Sequence, residues 1–212
     1  MWSGDATTTP DELRDAVASA GLDVVCITDH STVNGALALR ESIEALGCAV
    51  VVGQESRTWA GELIGLFLAE RVPPGLKPEE FCSVVHAQGG IVYVPHPFDP
   101  MRLCLRADVL SSLAAAGLVD AIEGLNAKTS LDSLNVQARA FASSVGLPVG
   151  AGSDAHVPEA VGAAYVDVPE FDPADPQSFL AALRSPAARL VGGHFDPPRQ
   201  WRPRIVPSTK AT

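Results

Sequence analysis

Three of the chain's five histidines follow short apolar runs: His30 after LDVVCITD, His96 after IVYVP, and His156 after LPVGAGSDA. Carboxylates share these positions. Asp29 precedes His30, Glu55 follows CAVVVGQ, and Asp154 lies two residues before His156. Asn126 closes VDAIEGLN in the same way. Imidazole with carboxylate is a ligand set for zinc, manganese or iron(II), and a bridging carboxylate can join two metals. Such a cluster lowers the pKa of a bound water and clamps phosphoryl oxygens. Metal ligation is the reading for His30, Glu55, His96, Asp154 and His156. A metal-free His–Asp acid/base site is the alternative. His86, inside a helical stretch, and His194, in the tail, read as solvated or structural.

The apolar runs are strands, and the segments between them are helices. Thr9, Pro10 and Glu12 form a capping box with proline at the first helical position, so a helix runs from Pro10 to about Gly21. LDVVCIT has no polar alternation and reads as a strand buried on both faces, with Cys26 as a core-filling thiol. A helix over about 35–46, the strands CAVVVG and ELIGLFL, and a Pro-Pro-Gly loop follow. A helix from Pro78 leads to the strand IVYV. The alternation continues through ADVLSSLAAAG, VDAIEGL, LDSLNVQARAFASSVG and LPVGAG. A short strand AAYVDV and a helix over 176–185 end the pattern. Repeated strand–helix units imply a parallel sheet or barrel with helices outside. In a parallel barrel the strand C-termini converge on one face, which is where the histidines and acids fall. No Gly-x-Gly-x-x-Gly or Walker A sequence is present, so a nucleotide-binding doubly wound fold is not favoured. One domain over 1–191 is expected, with a loosely attached tail over 192–212.

Composition agrees. The chain has 212 residues, enough for one self-sufficient core, and 47% are hydrophobic, as suits strands buried on both faces. The formal charge of −10 disfavours long nucleic acid and anionic membrane as partners. It leaves room for a small phosphorylated substrate at one site where bound cations offset the acids. No aromatic stacking platform is evident. The four cysteines form no C-x-x-C pair, and no apolar stretch is long enough to span a bilayer. With no signal-peptide pattern at the N-terminus, a reducing cytoplasm is the expected setting.

The segments GLDVVCITDHSTVNGA, VVGQE, GGIVYVPHPFD and GSDAH, in that order from about residue 2 to His156, resemble the PHP (polymerase and histidinol phosphatase) family. The likeness is greatest to its small stand-alone phosphoesterases. It implies a distorted (β/α)7 TIM-like barrel, up to three divalent metals (Mn, Fe or Zn), and phosphoester hydrolysis by a metal-activated water. It implies ligand roles for His30, Glu55, His96, Asp154 and His156. It adds Glu62, where many relatives place histidine, and Asp5 in the loop before the first helix. A carboxylate at Glu62 favours manganese or iron over zinc. His30, Asp154 and His156 are the expected catalytic residues. Arg102 and Lys128 are the expected phosphate-binding cations, with Arg106 a weaker candidate.

Family members place a strand ending in His-x-His before the stretch matched by MWSGDATTT, and that strand is missing here. The expectations are a truncated chain, with true loss of the element as the alternative, a barrel opened between its first and last remaining strands, and weakened or absent catalysis. Two rival readings are a degenerate domain without turnover and an amidohydrolase-like enzyme.

Overall fold

The computed structural model describes residues 4–129 and 131–196. Thr9 opens α1 (Pro10–Ala20): its side chain accepts from the Glu12 N–H, Glu12 accepts from the Thr9 N–H, and Gly21 at φ 64 ends the helix. The capping box satisfies N–H groups that the first helical turn cannot pair. Then come β1 (Val24–Ile27), α2 (Asn34–Glu44), β2 (Ala49–Thr58), β3 (Gly61–Leu66), α3 (Pro78–Ala87) and β4 (Ile91–Val94). The chain continues through α4 (Ala107–Ala115), β5 (Ala121–Asn126), α5 (Asp132–Val145), β6 (Val149–Gly152), β7 (Ala164–Asp167), α6 (Pro176–Leu183) and β8 (Arg189–Gly192).

Strands β1 to β6 lie side by side in sequence order. All pairings are parallel except those of β3, which runs antiparallel to β2 and β4. The sheet curls into an open half barrel, and β7 and β8 pair antiparallel as a separate two-stranded sheet. The α/β, TIM-like expectation therefore holds, with six strands in the main sheet.

Period-two alternation assigns the two faces of this sheet. Val50, Val52, Leu63, Val92, Val94 and Ile122 point outward, into a core shared with Leu39, Ile43, Phe81 and Leu110 of the surrounding helices. Val51, Ile64, Leu66, Ile91 and Tyr93 point inward and pack on Phe179, Leu180 and Leu183 of α6. Helix α6 thus plugs one end of the half barrel. Each of those three side chains contributes roughly 1.5–3 kcal/mol by leaving water.

Three local expectations change. CAVVVG is read as ending at Gly53, yet β2 continues to Thr58 because it folds back on β3 and pairs with it from Gly53 to Thr58. Glu55 therefore sits within a strand rather than past its end. Cys26 does not fill the core but lines the cavity inside the half barrel, where it stays exposed. Arg189–Gly192 forms β8 against β7, a pairing that a four-residue run with arginine does not announce. Beyond it, the Phe195 N–H donates to the Ala127 carbonyl (2.7 Å). Of the expected tail, residues 197–212 lie outside the described residues, as do residues 1–3.

Candidate metal centre

The inward face changes character along each strand. On β2, Val51 belongs to the apolar floor, and Glu55 and Arg57 lie further up the same face. On β3, Leu66 and Ile64 sit on the floor and Glu62 stands above them. Because β3 runs backwards, its first residues share a level with the last residues of its parallel neighbours. The register puts Arg57 directly opposite Glu62, and the Arg57 Nε–H donates to Glu62 Oε1 (3.1 Å).

Backbone contacts fix the remaining donors. His30 bridges to Glu55 next to β2, and the Ser31 N–H donates to the Glu55 carbonyl (2.8 Å). His96 and Asp154 occupy left-handed backbone conformations, φ 30 and 48. Non-glycine residues hold such angles when surrounding contacts over-determine them, which is common where a side chain must be aimed. At His96 the contact is a 2.6 Å hydrogen bond from its N–H to Glu123 Oε2. The N-terminal loop is anchored by the Thr7 N–H, which donates to the His156 carbonyl (2.9 Å).

The seven residues named from the sequence as ligands converge. His96 Nε2 lies 3.1 Å from Glu55 Oε1 and 3.6 Å from Glu62 Oε2. His30 Nε2 lies 3.0 Å from Asp5 Oδ2 and 3.7 Å from Glu55 Oε2. His156 Nε2 is 3.4 Å from Asp5 Oδ2, and its Nδ1 is 3.3 Å from Asp154 Oδ1. One donor atom each from His30, Glu55 and Glu62 falls within 4.8 Å of the others, a spacing that suits a single ion. Asp5 joins the group through His30, and His156 through Asp5. Both candidate cations are also present: Lys128 Nζ is 3.5 Å from Asp154 Oδ1 and 2.8 Å from His156 Nδ1, and Arg102 Nη2 is 3.9 Å from Asp154 Oδ2. Arg106 is turned away and pairs with Asp108 (2.7 Å).

The electrostatics favour a divalent cation. Burial and the neighbouring charge of Glu55 both raise the Glu62 carboxyl above its usual range. Burial alone would lower the His96 pKa, but the hydrogen bond and charge of Glu55, with Glu123 and Asp154 behind, lift it to about 9. His30 is raised chiefly by its hydrogen bond to Asp5. Crowded carboxylates here recruit protons onto the imidazoles, and a metal ion would supply that positive charge while accepting the same Nε2 and carboxylate lone pairs. The residues present therefore fit a metal centre.

Other named residues serve as supports. Gln54 is fully buried and points outward, bonding Ser56 and both backbone groups of Val72. Asn126 donates to Glu123 and accepts from the Lys128 N–H. His86 pairs with Asp120, and His194 with the Thr129 carbonyl, both as structural residues. Glu123 is the residue that sequence reasoning passes over. It is 4% exposed, and burial pushes its carboxyl up to about 7. A charge inside VDAIEGL, an otherwise uncharged strand past its opening aspartate, was the available signal. A bulge between Glu123 and Leu125 re-aims the strand at this point.

The cluster lines the upper part of a cavity of about 820 Å³, to which Asp5, His30, Glu55, His96, Asp154 and His156 all contribute. It runs between β1 and β6, whose facing edges have no strand partner among the described residues, and it is lined by Tyr93, Glu123 and Phe179 below the metal centre.

Residues 1–91 match the family description "PHP domain", and residues 132–187 match "PHP-associated". The protein MJ0417 of Methanocaldococcus jannaschii is 33% identical over 148 residues, 66% of this chain and 62% of its own length. The chain spans 57% and 62% of the length of the curated relatives it matches. Among solved structures, a two-domain protein from Bacteroides vulgatus containing a predicted PHP-like metal-dependent phosphoesterase superposes with a TM-score of 0.71. It is 19% identical, with 91% of this chain and 62% of that one covered. The lesion-specific endonuclease of Pyrococcus furiosus gives a TM-score of 0.55 at 13% identity, covering 89% of this chain and 55% of its own. Both structures are alike in fold.

Proposed function

Because this chain belongs to the PHP family, we propose that it is a metal-dependent phosphoesterase that hydrolyses a small phosphomonoester, a nucleotide or a short oligonucleotide. The observation that carries this reading is the convergence of Asp5, His30, Glu55, Glu62, His96, Asp154 and His156, with Arg102 and Lys128 bordering the same carboxylate. Divalent cations bound there would lower the pKa of a water and offset the charge of the phosphoryl oxygens.

The chain's own groups do the rest. Lys128 and Arg102, beside Asp154, bind and orient the non-bridging phosphate oxygens. Burial lowers the Lys128 pKa, so its contacts with Asp154 help keep it charged. In the displacement a water oxygen bonds to phosphorus, the ester P–O bond breaks, and the leaving oxygen takes a proton. His156, partly exposed at the cluster's mouth and outside the His30–Glu55–Glu62 group, is placed to hold that proton. Glu123 holds the backbone of His96 in its strained turn and is a positioning residue.

The test is turnover of p-nitrophenyl phosphate by the Mn²⁺-loaded chain. His156→Ala and Asp154→Asn are each expected to lower kcat at least 100-fold. A chain with full metal occupancy and no activity on any phosphoester would instead support a domain without turnover.

A further inference from the structure

A second groove adjoins the metal centre. Its walls are the β2–β3 turn and the loop that follows His96. Backbone hydrogen bonds hold the two together: the Glu62 N–H donates to the Leu103 carbonyl (2.7 Å), and the Arg106 N–H to the Ala60 carbonyl (2.8 Å). The chain passes so close that a Cβ on Gly61 would collide with the Cys104 carbonyl. The space enclosed is about 370 Å³.

Its lining is unlike the rest of this acidic molecule. Trp59 stands at the turn with 75% of its surface exposed. Arg57, Arg102 and Arg106 line the same groove, and Lys77 Nζ lies 5.5 Å from the indole centroid. Three arginines share the groove with Trp59 and a lysine lies over its ring, in a chain whose formal charge is −10. Arg57 is bonded to Glu62 and Arg102 is paired with Asp154, so two of the groove's guanidinium groups reach carboxylates of the metal centre. Each of these pairs engages a minority of the five N–H donors that a guanidinium offers. Trp59 lies four residues beyond Glu55 on the sequence of β2 and its turn, roughly 13 Å along an extended chain. A group resting there is next to the metal-bound position, not on it.

An exposed indole flanked by cations is the chemistry that holds a nucleobase and its phosphate: the base stacks on the ring and the phosphate meets the guanidinium groups. We propose that this groove binds the nucleotide adjoining the scissile phosphate of a short single-stranded oligonucleotide, its base on Trp59 and its phosphate on Arg57 and Arg106. This rests on the phosphoesterase reading and narrows its substrate. No stacking platform is evident in the sequence, because Trp59 is gathered with Arg102 and Arg106 of a separate loop only in the fold. The acidic remainder of the surface limits the bound length to the groove and the metal centre.

The test is equilibrium binding of a fluorescein-labelled hexathymidylate with hydrolysis-resistant phosphorothioate linkages to the full chain loaded with Mn²⁺, read by anisotropy. Trp59→Ala is expected to weaken binding about tenfold or more, and Trp59→Phe to restore most of it. Arg106→Gln is expected to weaken it several-fold and to flatten the salt dependence. Absence of binding by the unaltered chain, or equal binding by Trp59→Ala, overturns the groove assignment. Hydrolysis of p-nitrophenyl phosphate by the same preparation separates the two readings. Turnover without Trp59-dependent binding removes the groove and leaves the phosphoesterase. Trp59-dependent binding without turnover of any phosphoester keeps the groove and removes the phosphoesterase.

Discussion

His96 is 4% exposed and faces two carboxylates that are nearly as buried. In the metal-free protein its pKa is lifted to about 9, Glu123 is lifted to about 7, and Glu62 is raised. A group whose folded pKa lies above its unfolded value adds stability below the unfolded pKa and loses it as pH rises through the folded one. All three act in the same direction. The metal-free chain is therefore expected to lose stability as pH rises from about 5 to 9.5, on the order of 3 kcal/mol from His96 and a similar amount from Glu123. Urea denaturation in EDTA across that range reads the effect. A saturating divalent metal competes with the same protons, so in Mn²⁺ the loss should shrink or reverse. A flat EDTA profile would mean that these groups are not coupled as their geometry requires.

The strand ends matter because each element fixes a donor through its backbone. Strand β3 is the clearest case, since its antiparallel course alone lifts Glu62 to the level of Glu55 and His96. The β4 exit turn depends on β5 and β6. Glu123 accepts the His96 N–H, and Gly152 leaves space for Glu123, because a Cβ on Gly152 would overlap Glu123 Oε1. Gly152→Ala should push Glu123 aside, release the His96 turn and cost about 1–3 kcal/mol. The second readout is metal affinity by calorimetry, which should fall along with stability. Unchanged affinity would show that His96 holds its position without Glu123. At this scale the sequence showed the strands and helices well, because apolar runs and caps are local signals. It did not show that β2 runs on to Thr58, since strand pairing rather than composition extends it. Nor did it show that Cys26 lines a cavity instead of packing in the core, which follows from the open space between β1 and β6.

In the whole molecule, α6 closes one end of the half barrel and the polar cluster occupies the other. Seven donors between Asp5 and His156, on separate segments apart from the pair Asp154 and His156, come together only when the chain is folded, so metal binding there would be linked to folding. Removing metal with EDTA is expected to lower the melting temperature. Restoring Mn²⁺ to about 100 times its Kd should return about 2.7 kcal/mol. Elemental analysis of the purified chain should find at least one divalent ion, held by His30, Glu55 and Glu62. Equal melting curves with and without metal would argue that the cluster is held by protons alone. The sequence by itself determined the donor types and their places after apolar runs, because strand periodicity and residue chemistry are written locally. It also carried the motifs that mark the family. Only the tertiary structure decided which carboxylates share a donor, that Glu123 braces His96, and that Trp59 lines one groove with Arg102 and Arg106. Those facts depend on strand direction, register and loop contact between segments far apart in sequence, and no local pattern encodes them.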